Sequence, residues 1–166
     1  MNELEELEEL EYSVLEAEEE DDEMPNYTHG ELQWQIIHAL FAVLLPEYKA
    51  LPPITFQGLY RKFTPDIVVY PKRTTPRDKN SREYRIEQAA PLLAIEIISP
   101  DQTMFAMVQK CEEMLESGVE ECWIIEPAND TITVCRKDTQ FVRHRGESLE
   151  YRLCTRPLTV DEIFDV

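Results

Sequence analysis

The sequence predicts an α/β or α+β domain built around a central mixed sheet. Three observations predict it. An apolar period of helical spacing runs over residues 28–45, a nearly unbroken apolar run occupies 92–98, and a second amphipathic stretch over 102–117 separates that run from several strand-like segments. A helix, a strand cluster, a crossover helix and further strands, in that order, suit a sheet with helices packed on it.

The first helix takes its start from Thr28, followed three residues later by Glu31, the spacing of a capping box. Leu32, Ile36, Ile37, Leu40, Phe41 and Leu44 keep the period, and Pro46 stops it. His29 and His38 border this helix and read as a cap-region residue and a partly buried one. After Leu51-Pro52-Pro53, residues 54–63 and 66–70 read as short strands. Residues 71–90 form a basic polar excursion without an apolar period. Leu92 to Ile98, between two prolines, has the composition of a strand buried on both faces. Ser99-Pro100-Asp101 turns into the helix over 102–117, which Gly118 ends. Strands follow near 121–126, 131–136, 139–144 and 149–153, with Asn129-Asp130 as a turn, and residues 158–164 close as a short helix.

The chain of 166 residues holds one compact domain with room for a tail. Its formal charge is −18, but residues 1–23 carry 13 acids and no base, and the other 143 carry 21 acids and 16 bases, a net of −5. Whole-chain charge therefore does not exclude a polyanionic substrate. Residues 1–25 read as a solvated, disordered acidic tail, with Met24-Pro25-Asn26 as the boundary of a domain over 26–166. Leu4, Leu7, Leu10 and Val14 leave two alternatives open: a helix that docks on a partner subunit, or an acidic mimic of nucleic acid lying in the protein's own basic cleft. No uncharged run reaches the roughly 18–20 residues of a membrane span. The amino terminus has neither the basic region nor the apolar core of a signal peptide. Cys111, Cys122, Cys135 and Cys154 lack zinc-knuckle spacing and read as free buried thiols. A cytoplasmic protein is expected.

One residue does not fit its surroundings. Glu96 sits in the middle of the most apolar strand, where an ionised carboxylate is costly unless it is paired or bound to metal. Pairing with a neighbouring Arg or Lys, a place at the solvent end of the strand, and metal ligation are all open. Asp66 begins the preceding strand and could lie beside Glu96. Two such carboxylates repel each other unless a cation bridges them. Mg²⁺ takes oxygen ligands and needs only one or two carboxylates from the protein. An Asp, a buried strand Glu and a nearby Lys are a minimal set for metal-assisted phosphodiester hydrolysis.

The segments Thr64-Pro65-Asp66-Ile67-Val68-Val69, Leu93-Ala94-Ile95-Glu96-Ile97-Ile98-Ser99-Pro100, Lys110, and Gly118 through Pro127 resemble the Uma-type family of restriction-endonuclease-like proteins, part of the PD-(D/E)XK nuclease superfamily. Asn26-Tyr27-Thr28-His29-Gly30 resembles that family's helix start. The resemblance spans about residues 26–166. It implies a restriction-endonuclease-like fold and a Mg²⁺- or Mn²⁺-dependent endonuclease acting on DNA. Asp66 and Glu96 match the two metal-binding acids, and Lys110 the catalytic lysine of the following helix. Glu31 stands where many superfamily members carry a first-helix acid. The superfamily's usual lysine position, two residues after the second acid, is Ile98 here, and Ala106 stands where the family often has an acid.

The window 61–85 carries eight bases against three acids, and Lys72, Arg73, Arg77, Lys79 and Arg82 are its candidate phosphate contacts. The window 136–156 has six bases and three acids. A homodimer is expected from the resemblance and from the prevalence of twofold assemblies. The alternative is a catalytically inactive nucleic-acid-binding or protein-interaction module on the same fold.

Overall fold

The computed structural model describes residues 26–74, 79–80 and 86–165. The acidic segment 1–25, Arg77 and Arg82 lie outside the described residues.

The chain enters helix α1 (Tyr27–Val43) through Asn26, whose extended backbone lets its side chain accept a hydrogen bond from the His29 amide at 2.9 Å. Asn26 thus satisfies a free amide of the first turn, and the capping box expected at Thr28 and Glu31 does not form the start. That geometry predicts that Asn26→Ala destabilises the protein by about 1 kcal/mol. Thr28→Ala should change thermal stability far less, and a calorimetric comparison of the two variants checks this. Helix α1 buries Leu32, Ile36, Ala39, Leu40 and Val43 and ends three residues before Pro46.

Among the described residues ten strands and two further helices follow: β1 (Tyr48–Leu51), β2 (Phe56–Gln57), β3 (Lys62–Phe63), β4 (Ile67–Pro71), β5 (Leu93–Ile97), α2 (Met104–Glu116), β6 (Glu121–Glu126), β7 (Thr131–Arg136), β8 (Thr139–Arg143), β9 (Ser148–Leu149), β10 (Leu158–Thr159) and α3 (Val160–Phe164). Six of the strands form one sheet in the order β1-β4-β5-β6-β7-β8. Only β5 and β6 are parallel, and α2 supplies the crossover between them, so the sheet is mixed as expected. The stretch 54–63 yields only the two-residue partners of the small β2–β3 hairpin, apart from the main sheet. The strand expected over 149–153 shrinks to Ser148–Leu149, paired with β10. A capping box does occur in the chain, at Thr159 and Glu162 of α3.

The sheet separates two apolar layers. On one face Leu93, Ile95, Ile97, Trp123 and Ile125 pack with the inner face of α1 and with α3. On the other, Ala94, Cys122, Ile124 and Cys135 pack under Met107, Cys111 and Met114 of α2. Cys122 and Cys135 are register partners across β6 and β7, and the Cys122 thiol lies 3.8 Å from the Cys111 carbonyl. Hydrogen bonding among these sulfurs, with burial added, raises the Cys111 and Cys135 thiol pKa values well above the ordinary range. All four cysteines are free; Cys154 is half-buried and the other three are buried.

Candidate active site

Strand β5 alternates between the two layers, so Glu96 shares the α2 side with Ala94 and Ile98. Its side chain is only 6% exposed, and the Lys110 ammonium, reaching down from the middle of α2, lies 3.0 Å from Glu96 Oε1. That oxygen is buried and has an ion-pair partner but no well-directed hydrogen bond. Burial pushes the Glu96 carboxyl up to about 7, Lys110 opposes this, and the nearby Asp66 carboxylate adds to it. A buried carboxylate beside a second one is left poised between charge states near neutrality.

Asp66 lies one step before the register pair Ile67 and Ile95, which sets it across from Glu96. Its carboxylate is held from two sides. The Ile97 amide donates to Oδ2 at 2.7 Å, and His29 Nε2 lies 3.1 Å from Oδ1. Gln33, one turn beyond His29 on α1, donates to the Asp66 carbonyl at 2.7 Å. Three elements therefore converge: the first turns of α1, the β4–β5 pair, and α2 (β5 lies at the centre of the sheet).

A sequence profile described as "Putative restriction endonuclease" matches residues 3–161. The chain belongs to the Uma2 family. The match starts at residue 3, within the acidic stretch that precedes α1. The Uma2 chain is also similar to a crystal structure described as "a putative nuclease belonging to DUF820 from Anabaena variabilis ATCC 29413". The two share 24% sequence identity with a TM-score of 0.73, over 86% of this chain and 83% of the other. At that identity the likeness establishes the fold, a restriction-endonuclease-like mixed sheet flanked by helices. No curated protein matches the chain.

Within the Uma2 chain, Asp66, Glu96 and Lys110 are brought together, and Glu31 is not placed with them. Glu31 lies two residues from His29, about 200° round α1, so it falls on the side away from Asp66. Strand β4 carries the chain away from Asp66, so Lys72 and Arg73 lie about 20 Å along the strand direction, at the opposite end. Arg73 is ion-paired with Glu87, and Lys72 and Lys79 are exposed. His29 and Gln33 were missed as site residues. Their i, i+4 spacing at a helix start was the available signal, and it became legible only once Asp66 lay beside that turn.

Among the described residues no helix is long and apolar enough to cross a membrane.

Proposed function

We propose that this protein is a metal-dependent nuclease that hydrolyses phosphodiester bonds in DNA. The observation that carries the reading is the buried Glu96 carboxylate held between Lys110 and Asp66. Asp66 and Glu96 would hold Mg²⁺ or Mn²⁺. The donor set fits, because both ligands are hard carboxylate oxygens and the register of β4 and β5 sets them side by side. Among the described residues no cluster of three His, Cys, Asp or Glu side chains forms a metal cage. Two carboxylates suit an ion that keeps water and substrate phosphate in its other positions. When bound, such an ion lowers the pKa of an attacking water and offsets charge on the scissile phosphate.

The chain's own residues do the positioning. His29 and the Ile97 amide fix the Asp66 carboxylate, and Gln33 anchors its backbone. Lys110 supports the buried Glu96 charge, orients the water and offers a cation to the charge developing on phosphate. Lys72, Arg73, Arg77, Lys79 and Arg82 would contact backbone phosphates, Lys72 and Arg73 about six base pairs from the cut. A twofold homodimer would bring one such site to each strand.

The test is an assay on duplex DNA, single-stranded DNA and RNA with Mg²⁺ or Mn²⁺. Metal-dependent cleavage of duplex DNA, absent with a chelator and in Asp66→Asn, is the expected result. Binding of DNA without cleavage under either ion would instead favour the inactive module, with Glu96 and Lys110 as a structural ion pair.

A further inference from the structure

Helix α1 is apolar on both of its sides. Its seventeen residues include one charged side chain, Glu31, whereas the outer face of a surface helix ordinarily carries charges. The inner face is accounted for by the core. On the outer face Tyr27, Trp34 and Phe41 follow one another at seven-residue steps and are 83, 62 and 81% exposed. Each step falls about 20° short of two full turns, so the three rings form a nearly straight stripe about 21 Å long. His38 extends it by stacking on Trp34 with ring centroids 5.0 Å apart. Gly30 opens a notch between Tyr27 and Trp34, with nothing within 4 Å of the position a Cβ would take. An aliphatic side chain could seat there.

We infer that residues 4–14 of the same chain cover this stripe. Twenty-five residues precede Asn26, and they end where the stripe begins. Leu4, Leu7, Leu10 and Val14 lie at three- and four-residue steps. On a helix these make a narrow apolar line about 15 Å long, which requires an apolar partner. The residues between Val14 and Asn26 can span up to about 40 Å, enough for the line to double back antiparallel to α1. Charge favours this partner. The intervening glutamates would face water, and α1 opposes them with Glu31 alone. The family match begins at residue 3 and so takes in this segment as well as α1.

The two tryptophans make the proposal testable on the full chain. Trp123 is fully buried, so quenching by acrylamide reports on Trp34. The wild-type protein should be quenched several-fold less readily than the double variant Leu7→Glu/Leu10→Glu, with the difference independent of protein concentration. Equal quenching of the two proteins would overturn the proposal. Protection that is lost on dilution and is indifferent to the double substitution would also overturn it, assigning the stripe to a second copy of the chain. A disulfide formed between Leu7→Cys and Phe41→Cys at monomer mass would support the contact within one chain, and the same crosslink found only at dimer mass would overturn it.

Discussion

Glu96→Gln is expected to stabilise the metal-free protein by up to about 3 kcal/mol above pH 7, and to leave stability unchanged below about pH 4.5. Folding raises the Glu96 carboxyl from 4.5 to about 7, chiefly through burial. A group raised in this way contributes its full stability while it is protonated in both states, below its unfolded value. That contribution is lost as pH rises through about 7, where the folded state must ionise a buried carboxyl. The gap, at about 1.4 kcal/mol per pH unit, sets the size of the effect. Glutamine keeps the shape and never ionises, so it mimics the protonated form at every pH. The attraction of Lys110 already opposes the upward shift, so the prediction is net of the ion pair. Urea titrations of both proteins at pH 4, 6 and 8 check it. A stability difference that does not grow with pH would show that the carboxyl is not penalised by its surroundings.

Lys110→Ala should abolish most cleavage while leaving metal binding intact. Losing an oriented cation that acts on developing charge typically lowers rate by about 10²–10³-fold. The lysine is not a proposed ligand, so Mg²⁺ or Mn²⁺ at 100 times its dissociation constant should still add about 2.7 kcal/mol to stability. For a chain of this size that corresponds to a melting rise of roughly 5–10 °C. In Glu96→Gln the same rise should vanish. Melting curves of the wild type and both variants, with and without the ion, separate ligand from helper. A metal-induced rise that survives Glu96→Gln unchanged would place the ion elsewhere and remove the proposed site.

The central elements were legible because their signals are local and redundant. The run from Leu92 to Ile98 has prolines on both sides, and β5 lies within it as a fully buried strand. Helix α2 begins one residue after its Thr103 cap and ends before Gly118, whose φ of 106° suits a residue without a Cβ. The edges were less legible. Strand β1 is half-exposed throughout and carries no alternation, so Tyr48–Leu51 gave no strand signal. The β2–β3 hairpin is only two residues deep on each side, too short for a period to emerge. The helix start was misplaced because Thr28-x-x-Glu31 and Asn26 both offer a cap within one turn, and only the geometry chooses.

The site shows the same division. Glu96 stood out as a charge where the pattern demanded none, and Lys110 is the cation that approaches it. His29 had no such contrast with its neighbours. Its importance comes from a partner 37 positions away, which no local pattern encodes. Charge composition gives no direction, and β4 carries Lys72 and Arg73 away from Asp66.

The thiols of Cys111, Cys122 and Cys135 lie in the layer between the sheet and α2, and Lys110 is the residue before Cys111. A sealed sulfur reacts with an alkylating reagent only when its surroundings open, and hydrogen bonding has already suppressed the reactive thiolate in two of the three. Labelling of these positions therefore acts as a clock for the lifting of α2 from the sheet, the same excursion that would carry the ammonium away from its carboxylate. Half-buried Cys154, on the far layer, supplies an internal standard. The chain thus contains its own probes for the rate at which the contact between Lys110 and Glu96 is broken and remade.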